Sequence, residues 1–170
     1  MYGIAGGRFA WFFERFWWRS LSLDVSGNSQ PQFAADYTNT LSQRMYGPFV
    51  GCGHEIFVAN QFSISCDLTA AALLDVAKQR AKYELADKTI ESKWGREEFR
   101  LVPNGNAQIN LWWYPAEGVQ IRVGYQAMTF FNTLYMLEPV GFNYGNIDPS
   151  YQIRYFRLIH GFNVGVGFFF

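Results

Sequence analysis

The stretch that decides the fold is FRLIHGFNVGVGFFF, Phe156 to Phe170. Counted back from Phe170, every second residue is apolar: Phe168, Val166, Val164 and Phe162. Between them stand Phe169, Gly167, Gly165, Asn163 and Gly161. A period of two marks a strand whose successive side chains point to opposite faces. The end of a soluble chain is usually frayed and polar. An apolar row through the last residue instead suits the closing strand of a transmembrane β-barrel, where alternate residues meet lipid and lumen. A buried edge strand of a soluble β-sandwich alternates too and is the competing reading.

Composition points the same way. Apolar residues make up 49%, aromatics 19% and charged residues only 16%, with 16 glycines, against a usual charged share of about 25%. Mean hydropathy is −0.09. No apolar run approaches the roughly 18 residues a transmembrane helix needs. Near-neutral hydropathy with abundant aromatics is what alternating lipid-facing and water-facing residues average to. Lys and Arg balance Asp and Glu, 14 against 14, so nothing points to nucleic acid or to polybasic lipid contact.

Outward from the closing strand, five more segments read as strands, about 6–23, 41–57, 62–79, 98–114 and 119–132, with the last at 153–170. The expectation is one all-β domain over residues 1–170, an antiparallel transmembrane barrel segment within a larger up-and-down barrel. The clearest pair is FRLVPNGNAQINLWW (Phe99–Trp113) and VQIRVGYQAMTFFN (Val119–Asn132), joined by YPAEG. Folded about Ala116, it sets Trp113 against Val119, Leu111 against Ile121, Ile109 against Val123 and Asn110 against Arg122. Asp24–Thr40 reads as a polar loop, Arg80–Glu97 as an exposed excursion with helix-forming composition, and Thr133–Gln152 as a long irregular loop. Pro48 weighs against the second strand, because proline lacks a ladder donor. Connections alternate long and short, as in outer-membrane barrels.

One face of these strands collects Arg8, Glu14, Glu55, Ser63, Asp67, Arg100, Asn104, Asn106, Gln108, Asn110, Gln120, Arg122, Gln126, Arg157 and Asn163. Such groups cost about 2–4 kcal/mol when charged and facing lipid, and unpaired charges do not form a dry core. They are the candidate pore lining. Arg15 and Arg19 share parity with the apolar row, which places them above a bilayer or among headgroups. Trp112, Trp113 and Tyr114 gather beside one turn with Phe168 to Phe170, as interfacial aromatics do; core aromatics are the alternative. Cys52 and Cys66 share parity and fall opposite each other if the hairpin centres near Ala59. A cross-strand disulfide and two small buried thiols both fit. Two Cys and two His without ligand spacing suggest no metal site and no cofactor. His54 and His160 are the only bases for a lipid-modifying enzyme, and both have outward parity, so no enzyme is expected.

Six strands are fewer than the eight of the smallest bacterial barrels. The opening residues, with Arg8, Glu14, Arg15 and Arg19 among aromatics, lack a signal-peptide pattern. The expectation is the C-terminal portion of a longer barrel, with a ring closed between copies as the alternative.

The segments GGRFAWFFERF (Gly6–Phe16), MYGPFVGCGHEIF (Met45–Phe57), NLWWYPAEGVQIRVGYQAMTFFNT (Asn110–Thr133), FNYGNIDPSYQ and HGFNVGVGFFF resemble the C-terminal half of Legionella-type major outer-membrane, pore-forming proteins, most closely the planctomycete versions. The likeness covers about four-fifths of the chain and its motifs are structural. It implies a porin-like barrel in the outer membrane that passes small hydrophilic solutes. Membrane lipid and the barrel-assembly machinery, the latter docking on the C-terminal strand, are the expected partners. A barrel that displays surface loops for structure or adhesion is the second reading.

Overall fold

Alternating side chains build strands, and in the computed structural model, which describes residues 1–136 and 154–168, strands are all they build. They are β1 (Tyr2–Leu23), β2 (Ser29–Ala59), β3 (Phe62–Leu85), β4 (Glu91–Ala116), β5 (Val119–Thr133) and β6 (Tyr155–Phe168). All are antiparallel and pair in sequence order within one sheet. No ladder joins β1 to β6 among the described residues. The sheet nevertheless curls: Phe12 of β1 packs edge-on against Phe130 of β5, with ring centres 5.0 Å apart. Glu14 of β1 meets Arg157 of β6 across the same concave face.

The strands run longer than expected. Residues 29–40 belong to β2 and residues 80–85 and 91–97 to β3 and β4, so neither the loop at Asp24–Thr40 nor the excursion at Arg80–Glu97 exists as such. What overrides the helical composition is pairing across strands. Lys78 reaches Glu97 at 3.3 Å, Lys82 reaches Glu91 at 3.3 Å, and Arg19 lies 3.7 Å from Asp36. The true turns are short. Asp24 accepts bonds from the Ser26 and Asn28 amides at 2.9 and 2.7 Å beside Gly27 at φ 81°. Asp87 does the same for Thr89 at 3.0 Å. The expected connection from Thr133 to Gln152 lies outside the described residues beyond Met136.

Both tight hairpins are shifted by two residues from the register read off the sequence. Trp113 faces Ile121, Leu111 faces Val123, Ile109 faces Tyr125 and Asn110 faces Gly124. The cause is parity. The turn at Glu117–Gly118, with Gly118 at φ 78°, closes Ala116 on Val119. Continued without interruption, that pairing would set outward Trp113 against inward Arg122. An irregularity between Trp113 and Ala116 absorbs one residue and restores like against like. The β2–β3 hairpin repeats the device between Phe57 and Ala59, after a closing pair of Ala59 and Phe62. Cys52 therefore faces Leu68 and Cys66 faces His54; both cysteines are free and exposed on the convex face, neither bonded nor buried.

Pro48 lies inside β2, paired with Gly7 of β1, where the β2–β3 ladder is interrupted between Tyr46 and Phe49. Next to it the two backbones crowd: a Cβ on Gly47 would stand 2.1 Å from the Ala72 carbonyl oxygen.

Candidate functional site on the concave face

The two faces differ as the alternation requires. On the convex side Val50, Leu68, Ile109, Leu111, Val123, Phe162, Val164, Val166 and Phe168 are all exposed, Phe162 to 84%. Phe170 lies outside the described residues. His160 is convex too, its Nδ1 2.7 Å from the Tyr125 hydroxyl.

The polar residues read from the sequence gather on the concave side in three groups. At the end near the tight turns, Asn110 is 1% exposed and donates to Ser65 at 3.1 Å and to Asp67 at 3.3 Å. It accepts from Gln108 at 2.7 Å. Glu55 accepts from Ser63 and, at 3.3 Å, from Tyr114. Arg122 lies over the Trp112 ring at 5.4 Å, and Gln120 lies against Gly167.

In the middle, Arg8 spans the sheet. It donates to Asn104 and, at 2.9 Å, to Thr69, with its guanidinium 4.9 Å from the Phe49 ring centre. Gln126 donates to Asn106 at 2.8 Å. Asn163 has both side-chain polar atoms buried without a hydrogen bond among the described residues.

Toward the long hairpins the charges pair. Arg157 donates to Glu14 and to the Leu134 carbonyl while lying 5.1 Å from the Phe12 ring centre. Arg100 pairs with Glu98, its Nε donating at 2.8 Å.

Other inward residues were missed by reading polar groups alone. Met45, Leu73, Val102 and Phe130 form a buried apolar cluster against Phe12. Leu134 packs on Leu41 and Ala77. The chain after β5 crosses the concave face, held by Gln43: its amide donates to the Leu134 carbonyl at 3.0 Å and accepts from the Leu134 amide at 2.8 Å. The Met136 amide donates to Glu14 at 3.0 Å. Asp75, opposite Arg100 in register, is fully buried, and neither oxygen has a hydrogen bond among the described residues. Gln43 and Asp75 share the inward parity of their strands, and that signal was available in the sequence.

A polar face of paired charges, amides and hydroxyls can hold water and solvate ions. Among the described residues no cluster of three or more metal-ligating side chains occurs. Compared with family models, curated proteins and solved structures, the chain matches none of them.

Proposed function

We propose that this chain forms part of an outer-membrane β-barrel pore of the Legionella-type, planctomycete-like class. Its convex face meets lipid and its concave face lines a path for small hydrophilic solutes, without chemistry. One observation carries this reading. The side-chain polar atoms of Asp75 and Asn163 are buried without a hydrogen bond among the described residues of a curled six-strand sheet, whereas buried polar groups in folded proteins are almost always satisfied. Water supplies the missing partners when the sheet opens into a wider ring, closed by further strands or by a second copy of the chain. The exposed apolar rows of β3 to β6 then have hydrocarbon as their solvent. Strand β6, with Phe162, Val164, Val166 and Phe168 on its convex side, is the segment offered to the assembly machinery.

Planar-bilayer recording on the reconstituted full chain tests it. Stepwise conductance with weak ion selectivity is expected, since the lining mixes Arg8, Arg100, Arg122 and Arg157 with Glu14, Glu55 and Asp67. A folded, inserted and silent barrel rejects it.

The contacts of Phe12 with Phe130 and of Glu14 with Arg157 across the concave face favour a second reading. In it the barrel is narrow and filled, and displays its long hairpins without conducting. The same recording separates the two.

A further inference from the structure

The convex face changes chemistry within two residues. Along the ladders, the row Phe9, Tyr46, Leu74 and Leu101 is apolar or aromatic throughout. The next outward row is Trp11, Arg44, Val76 and Phe99, followed by Phe13, Ser42, Lys78 and Glu97, then Arg15, Thr40, Arg80 and Gly95. Beyond this border on β1 to β4, every outward strand carboxylate already has a cation: Asp36 has Arg19, Glu97 has Lys78, Glu84 has Lys82, and Glu91 has both Lys82 and Lys93.

Three outward arginines are left over. Arg15, Arg44 and Arg80 are exposed and make no ion pair or hydrogen bond among the described residues; Arg44 only lies 5.9 Å from the Trp11 ring centre. Arg15 and Arg80 flank Thr40 in a single row. They are two strand spacings apart, roughly 10 Å, so both guanidinium arms reach one anion held over the Thr40 hydroxyl. A guanidinium fork matches phosphate oxygens in charge and geometry.

We infer that Arg15, Thr40 and Arg80, with Arg44 below them, bind the phosphate of a net-anionic lipid headgroup whose acyl chains lie on Tyr46, Leu74 and Val76. The site rests on the membrane reading above. It adds to that reading a defined contact in one leaflet, where an apolar surface ends under an uncompensated positive patch.

The test titrates the full chain in neutral-detergent micelles with phosphatidic acid, phosphatidylcholine and inorganic phosphate, counting bound molecules by native mass spectrometry. Phosphatidic acid binds to the wild type, more weakly as salt rises; phosphatidylcholine does not, and inorganic phosphate at equal concentration displaces little. An Arg15→Gln/Arg80→Gln variant loses about thirtyfold in phosphatidic acid affinity, at about 1 kcal/mol per basic residue. Lys88→Gln, at the tip of the β3–β4 hairpin, leaves it unchanged. Equal binding by the double variant and the wild type, salt-independent binding, or full displacement by inorganic phosphate overturns the site. Resistance of the vesicle-reconstituted chain to urea extraction is scored separately. An inserted chain with indifferent variants defeats only the site, while a chain that never inserts defeats the membrane reading and the site together.

Discussion

Arg157 joins separate parts of the concave face, touching Glu14, the Leu134 carbonyl and the rings of Phe12 and Tyr135. Its side chain is 16% exposed and that of Glu14 is 23%. Removing one partner strands the other away from bulk water. Arg157→Met is expected to destabilise the folded chain by on the order of 2–3 kcal/mol, less than a fully buried pair would lose because some solvent reaches both groups. Adding Glu14→Leu should recover part of that loss. Urea unfolding of the two variants checks the order. Gly47 is a sharper case, because a Cβ there meets a carbonyl oxygen rather than a flexible side chain. Gly47→Ala should cost about 1–3 kcal/mol, while Gly7→Ala, with nothing within 4 Å, should be tolerated in the same assay. Neither crowding nor openness at these glycines was legible in the sequence, since each depends on how closely neighbouring backbones approach.

At the scale of elements, the extended β3–β4 hairpin stands beyond the apolar rows on a ladder of charges. Hydrogen bonds from Lys93 and then Lys82 hold the Glu91 carboxyl below its ordinary 4.5, and the bond to Glu84 raises the Lys82 ammonium above its ordinary 10.5. The Glu91 contribution is therefore complete above 4.5 and lost as pH falls through its lower folded value. The Lys82 contribution is complete below 10.5 and lost as pH rises through its higher one. Cleavage by a protease near Lys88 should be slowest between those limits and accelerate on both sides; a flat profile would remove the charges from the account of why this hairpin is ordered. The six strands and their inward and outward faces were legible, because parity survives any even shift in register. The register itself was not. A two-residue turn needs one absorbed residue to keep Trp113 and Ile121 on the same side, and no pattern in YPAEG announces it. The continuation of β3 through Arg80–Leu85 was hidden for a different reason: AKQRAKYELA favours a helix locally, and only the partners on β4 and β2 make it a strand.

For the whole molecule, the sequence yielded a sheet with one greasy and one polar face. It implied the curvature of a barrel segment, but not a curl so tight that β1 touches β5 and β6, nor that Met45, Leu73, Val102 and Phe130 fill part of the concave side. Those apolar residues share parity with the polar row, so alternation alone cannot say whether that face is wet or packed. Phe130→Ala separates the cases. In a filled barrel it opens a cavity and costs about 3–5 kcal/mol; in a wide hydrated ring it costs little and raises conductance. The claim on which both readings rest is that the convex side meets hydrocarbon. The direct measurement places a nitroxide at Ile109→Cys or at Gln108→Cys, with Cys52 and Cys66 replaced by serine, in the bilayer-reconstituted chain. The account predicts that oxygen relaxes the label at 109 far more than a polar nickel complex does, and that this preference disappears at 108. A label at 109 that is shielded from oxygen, or that the nickel complex reaches as readily, would contradict it.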